Sequence, residues 1–312
     1  MSSLNRNVAA MTALQSLTET NKMLTQTQNR ISTGLRVGSA ADNAAYWSIA
    51  TTMRSDNSSL STVQDALGLG ASTIDVAYTA VDATIDIVTQ IKDKLVAAAQ
   101  PGLDRAKIQT EITELQSQLS GIAGSATLQG QNWLDVDSGA AGFNATKSVV
   151  SSISRAGGTI SVQTIDIDTS STILFDADAA GEGILDGLRD STSGAIGGDQ
   201  AFAISTLDIS ALTDSAADLA TLDGFIAGAD AAISEMTAGA TALGAAKSRI
   251  DIQQTFVSAL MDAIDAGIGQ LVDADMNEES TKLQALQVKQ QLGIQALSIA
   301  NSSSQSILRL FQ

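Results

Sequence analysis

From Met53 onward, large apolar residues recur every seventh position: Met53, Leu60, Leu67, Ile74, Val81, Val88 and Leu95. A second row sits mostly three residues further on and holds Ile49, Val63, Gly70, Ala77, Thr84, Ile91 and Ala98. An a/d pattern held over so many heptads predicts one very long helix with an apolar seam, and such a seam needs a partner of the same period. Small residues at Gly70 and Ala77 would let a partner helix approach closely. The helix is expected to stop near Pro101-Gly102, because proline cannot continue it.

The partner is legible more than a hundred residues later. Leu222, Ala229, Met236, Leu243, Ile250, Val257, Ile264 and Leu271 again repeat every seven, with Ile226, Ile233, Ala240, Met261 and Ile268 beside them. Lys247 and Gln254 interrupt this row. Two long seams joined by an insertion predict antiparallel helices that pack on each other. The helical seam is assigned to Leu60, Leu67, Ile74, Val81, Val88, Leu243, Ile250, Val257 and Ile264. A shorter helix between them should start near Asp104 and carry Ile108, Ile112, Leu115, Leu119 and Ile122 on one face.

The two ends read as helices that need neighbours. Leu4, Val8, Met11, Leu14, Leu17, Leu24, Ile31 and Leu35 are spaced mostly three, four or seven apart. Residues 277–312 carry two apolar rows: Leu283, Leu286, Leu297, Ile307 and Phe311 on one, Val288, Leu292, Ile299 and Leu310 on the other. Apolar residues on more than one side require more than one partner. Asp275 with Glu278 predicts a capped start for this last helix, and Gly267 with Gly269 is expected to break it from the seam before it.

Between the seams the pattern changes. Residues 130–147 predict a hairpin region. Gly157 to Asp168 alternates apolar and polar residues, the period of a half-buried strand. Thr172–Phe175 and Ala201–Ser205 are further strand candidates. Thirteen acidic residues stand against one basic residue, Arg189, between Ala156 and Asp230. The whole chain carries a net charge of −17. Phosphate-backbone binding needs clustered Lys and Arg, so no nucleic-acid partner is expected. No run of about eighteen apolar residues is evident, so no membrane span is expected. The amino terminus lacks the basic-then-apolar pattern of a cleaved signal.

With no histidine and no cysteine, the chain has no imidazole base, thiol nucleophile or zinc-thiolate site. The Asp runs at Asp166, Asp176 and Asp273 each lack the closing bidentate acid of a calcium loop. No phosphate-binding loop, dinucleotide fingerprint or nucleophile elbow is present. No enzyme activity, cofactor or metal is expected.

Arg30-Ile-Ser-Thr-Gly-Leu-Arg-Val-Gly-Ser-Ala-Ala-Asp-Asn-Ala-Ala45, followed by Tyr46-Trp47, resembles the amino-terminal signature of bacterial flagellins. Leu271 to Ser280, with Gln284, Gln287, Gln291 and Ala300-Asn301…Gln305…Leu308-x-Leu310, resembles the carboxy-terminal one. With the seams, the resemblance covers roughly residues 1–145 and 220–312, and is closest to the alphaproteobacterial type. It implies a mainly α protein: long antiparallel coiled-coil helices with a small β-containing insertion facing outward. Residues 1–45 and 268–312 would form the filament core, 46–148 and 218–267 a helical middle with its hairpin near 130–147, and 149–217 a variable outer part.

The resemblance implies a secreted filament subunit, exported unfolded by the flagellar type III apparatus. It would polymerise with itself and meet an export chaperone, a filament cap and hook-junction proteins. Subunit packing in the core would fall to Leu4, Val8, Met11, Leu14, Leu24, Ile31, Leu292, Leu297, Ile299, Leu308, Leu310 and Phe311. A Toll-like receptor contact run aligns with Thr89 to Lys94. The family's key arginine is Gln90 here and its leucine is Lys94, while the acid at Glu111 matches, so weak or absent receptor activation is implied. Two other readings compete: a hook–filament junction protein, and an amphipathic membrane-active coiled coil. The second suits the chain poorly, since residues 277–312 hold only Lys282, Lys289 and Arg309 as basic residues.

Overall fold

The computed structural model describes residues 7–156, 159–178, 183–190, 196 and 200–310. They form two compact units, Met1–Ser58 with Leu260–Gln312, and Ser59–Ala259.

In the first unit, helix α1 (Val8–Thr33) begins at Asn7, whose side-chain oxygen accepts from the Ala10 N–H at 2.9 Å. It ends at Gly34, which sits at φ +72° and donates its N–H to the Arg30 carbonyl. Only a residue without a Cβ takes that left-handed position at no cost. Helix α2 (Ala44–Ala98) starts behind Asn43, whose side-chain oxygen accepts from the Ala45 and Tyr46 N–H groups. Helix α4 (Ala216–Val272) runs 57 residues and helix α5 (Met276–Leu310) runs 35. Asp275 caps α5 as expected, accepting from the Asn277 N–H at 2.8 Å. Within this unit α4 and α2 share a small core of Val37, Ala50, Ile268 and Val272.

The expectation that Gly267 and Gly269 break the helix is overturned, because α4 continues through both to Val272. A Cβ at Gly267 would lie 3.0 Å from the Met53 Cε, so this glycine gives α2 room. Ile49, assigned to the seam, is 49% exposed, and Ala50 takes the inward place.

In the second unit, Leu60, Leu67, Ile74, Val81 and Val88 of α2 are buried, as are Leu243, Ile250 and Val257 of α4. Ile264, in the first unit, packs against its small core. The helices run antiparallel: Lys92 pairs with Asp230 at 2.5 Å, and Lys247 with Asp75. By length and composition α4 is apolar enough to cross a membrane, which corrects the expectation of no such segment. Leu222, Ala229, Met236, Leu243, Ile250 and Val257 of its apolar row are buried, although only 17% of its most apolar window is. Helix α3 (Arg105–Ser125) buries Ile112 and Leu119. Asp104 precedes it without making the side-chain cap bond.

Strands form four two-stranded sheets among the described residues. The first hairpin joins β1 (Thr127–Leu128) to β2 (Gln131–Asn132) across Gln129 and Gly130, both at positive φ. This is the two-residue hairpin turn that matches strand twist. It overlaps the start of the 130–147 region expected to hold a hairpin, with its first strand just before it. Strand β3 (Asp135–Val136) pairs in parallel with β6 (Phe175–Asp176). A long antiparallel ribbon joins β4 (Thr146–Ala156) to β5 (Thr159–Asp168), and β7 (Arg189–Asp190) pairs with β8 (Gln200–Phe202). Of the candidate 172–175, only Phe175 is strand; Ser170–Thr172 is a 3-10 turn. The glycines that open the expected 157–168 strand lie outside the described residues.

Gly70 admits a neighbour closely, but not a helix. A Cβ there would lie 2.6 Å from the Val149 Cγ1 of β4, so the ribbon packs onto bare helix backbone. Two more close approaches seat the insertion on α4. A Cβ at Gly228 would meet the Phe202 ring at 2.4 Å, and one at Gly239 would meet the Ser171 carbonyl at 2.7 Å. Arg189, fully buried, reaches the Ile184 carbonyl and Glu235 beside them.

Candidate assembly surface

The geometry of the α1–α5 pair decides which side chains remain for other molecules. On α1 the covered positions are Ala10, Ala13, Leu17, Thr20, Leu24, Thr27 and Ile31. On α5 they are Glu279, Leu283, Leu286, Gln290, Gly293, Leu297 and Ala300. Both sets step by threes and fours, the spacing of a coiled-coil seam. Many of these residues are small, and they let the helices close up: a Cβ at Gly293 would stand 3.2 Å from the Leu17 Cδ1.

Three polar rungs fix an antiparallel register. Asn7 Nδ2 donates to the Ala300 carbonyl at 3.0 Å. Gln290 Nε2 donates to the Asn21 side-chain oxygen at 2.8 Å. Arg30 pairs with Glu279 at 3.0 Å, with the Glu279 side chain only 7% exposed. Burial works to raise the Glu279 carboxyl, but the Arg30 hydrogen bond and the Lys282 charge outweigh it and hold the group below its ordinary range. Its stabilising contribution is therefore complete above about pH 4.5 and is lost as pH falls further, through the lowered folded-state value. Acid titration of the helical signal should show a Glu279→Gln protein losing part of this low-pH sensitivity. Identical acid transitions for the two proteins would contradict it.

The large apolar residues mostly point elsewhere. On α1, Val8 is 67% exposed, Met11 63% and Leu14 54%. On α5, Val288, Leu292 and Ile299 are exposed, Ile299 at 68%. At 3.6 residues per turn Val8, Met11, Val288 and Ile299 lie well round each helix from the seam, while Leu14 and Leu292 flank it, Leu292 on the wall of the groove between the two helices. Of the residues assigned to core packing, Leu24, Ile31 and Leu297 are thus half-buried within the pair, whereas Val8, Met11, Leu14, Leu292 and Ile299 are turned outward. Leu308 and Leu310 belong to α5. Leu4 and Phe311 lie outside the described residues. Sequence reading missed Ala10, Ala13, Thr20, Thr27 and Gly293. Their three–four spacing was visible, but Ala, Thr and Gly carry little apolar signal.

Among the described residues no cluster of acidic groups is arranged to hold a metal ion. Asp168 accepts from the Ser170 N–H, and hydrogen bonds from the Ser170 hydroxyl and N–H lower its carboxyl. That is turn chemistry rather than a ligand set.

Two family models match the chain. The bacterial flagellin N-terminal helical region matches residues 4–138, and the C-terminal helical region matches residues 226–311. The chain is 50% identical to flagellin C of Rhizobium meliloti strain 1021 over 326 aligned residues, covering all of both chains. It is 44% identical to a flagellin of Brucella melitensis biotype 1 over 313, again covering both in full. Flagellin A of Rhizobium meliloti strain 1021 is 42% identical with the same complete coverage. Two paired terminal helices with an outward apolar face, framed by both family regions, place this chain in the bacterial flagellin family, the structural subunits of the extracellular flagellar filament.

Proposed function

We propose that copies of this subunit bind one another through the apolar face that α1 and α5 turn away from their shared seam. The observation that carries this reading is the stripe Val288, Leu292 and Ile299, exposed on a helix whose opposite face is already satisfied. Val8, Met11 and Leu14 extend it on α1. Exposed apolar area of this kind marks a surface that another molecule covers. Seeded elongation of purified subunits, with Ile299 and its stripe neighbours substituted one at a time, tests the assignment. Elongation at the unsubstituted rate by every stripe variant would refute it. The assignment of residues 1–45 and 268–312 to the filament core belongs to the same proposal, as do a chaperone during unfolded export, and a cap and junction proteins at the filament ends. The work of the chain is mechanical, and no catalytic role is assigned to any residue.

Toll-like receptor activation is proposed to be weak. Lys94 forms an ion pair with Glu111, so the one acid that matches the family's contact pattern is already engaged by a cation of its own chain. Gln90, in the arginine position, donates its side-chain amide to the Asp86 carbonyl. A receptor reporter-cell assay should show potency at least tenfold below that of a flagellin carrying the family's arginine. Gln90→Arg alone should leave part of the deficit, since Lys94 still holds Glu111. Full potency of the unsubstituted protein would overturn the assignment.

A further inference from the structure

Methionine is distributed unevenly over this molecule. Met236 is fully buried in α4, and Met53 and Met261 are half-buried. The exposed methionines among the described residues are Met11 at 63%, Met23 at 44% and Met276 at 45%, all on α1 and α5. Met11 lies between Val8 and Leu14 on the outward face of α1. Met23 edges a groove whose other wall is Leu286, Leu292 and Gly293 of α5. Met276 stands apart, at the first turn of α5 beside Asp275.

Met23 does not share the outward face of Met11, but a thioether is in both places the one group that mild oxidants attack. Valine, leucine and isoleucine beside it are inert, and the chain has no cysteine to react first. We propose that Met11 on the outward face and Met23 at the edge of the α1–α5 groove are two oxidation-sensitive modification sites that together switch subunit assembly off, the reagent being a peroxide. The sulfur gives two electrons to the peroxide O–O bond. That bond breaks, one oxygen joins the sulfur as the sulfoxide, and the other leaves as water or an alcohol. The product is polar and chiral where a flexible apolar side chain stood. A neighbouring copy would then have to bury a strong hydrogen-bond acceptor without a partner for it. The filament should resist the same reagent, because there the two sulfurs are covered. The switch is reversible, since sulfoxide reductases of both stereochemical classes return the thioether.

The inference rests on the outward face being the assembly surface. Monomeric protein is treated with graded hydrogen peroxide, quenched with catalase, mapped by peptide mass and used to elongate seeds. Oxidation of Met11 and Met23 is expected to track a fall in elongation of at least tenfold. A Met11→Leu/Met23→Leu protein oxidised at Met276 should elongate as it did before treatment. Treatment of the oxidised unsubstituted protein with both reductases should restore elongation, a measurement that needs no variant. Met11→Gln should lower elongation without any oxidant. Normal elongation by protein oxidised at both positions would overturn the switch, as would equal loss in the double-leucine protein. If Ile299→Asp blocks elongation while oxidation does not, the surface stands and the switch alone falls. If neither blocks it, the surface itself is misassigned.

Discussion

Purified Ile299→Asp protein is expected to leave seeds unextended while its helical middle melts at the unsubstituted temperature. The side chain is 68% exposed in the subunit, so the isolated fold loses little by the change. On assembly the balance reverses. Burying an isoleucine is worth about 1.5–3 kcal/mol, and burying an unpaired carboxylate costs several kcal/mol more. Together they weaken addition by on the order of 5 kcal/mol, or between three and four orders of magnitude in the concentration needed to elongate. Ile299→Val, which keeps the face apolar, should elongate within a few-fold of normal. Leu286→Asp offers the contrast: Leu286 is buried in the α1–α5 seam, so that change should disrupt the pair itself. Seed elongation by Ile299→Asp at the normal rate would remove Ile299 from the assembly surface. A lowered melting temperature would make it a folding residue instead.

The second large effect belongs to the helical seam. Leu67→Ala removes a fully buried side chain from α2, and a buried leucine truncated to alanine costs about 2–5 kcal/mol. In a unit of this size each kcal/mol moves the melting temperature by about 2–4 °C, so a drop of roughly 4–20 °C is expected by circular dichroism. Leu69→Ala, two residues along and 42% exposed, should change it by no more than a degree or two. Equal effects at the two positions would mean that the seven-residue period does not mark the core.

That seam was the most legible part of the chain. Leu60, Leu67, Ile74, Val81 and Val88 announce their helix because a period of seven over many turns has no competing explanation. The partner seam on α4 was readable for the same reason, although its end was not. Gly267 and Gly269 weigh against a helix by local propensity, and the packing of Ile268 and Val272 on Val37 and Ala50 outweighs them. The ribbon's first strand, β4, escaped notice because the run from Lys147 to Arg155 is serine-rich and places Val149 beside Val150. A register shift between Val150 and Ser152 further blurs its alternation. The parallel pair β3–β6 joins residues about forty positions apart, and no local pattern encodes such a contact.

The proposed assembly surface was half legible. The two apolar rows of α5 were separable by spacing, and among the described residues Leu283, Leu286 and Leu297 turn inward while Val288, Leu292 and Ile299 are exposed. On α1 the large residues drew attention, yet Val8, Met11 and Leu14 are the ones that α5 leaves uncovered.

The seam of Ala10, Ala13, Thr20, Thr27, Gly293 and Ala300 has a kinetic corollary. With only Leu17, Leu24, Ile31, Leu283, Leu286 and Leu297 as large apolar members, the contact returns little free energy for ordering two long helices, whose backbone alone costs about 1–2 kcal/mol per residue. On the proposed assembly surface, the deficit is made good only where neighbouring copies already present their outward faces. Starting a filament from free subunits should therefore face a nucleation barrier that extending one does not. At subunit concentrations that sustain steady growth, spontaneous starts should be rare. The number of filaments would then follow the number of starting ends rather than the supply of protein.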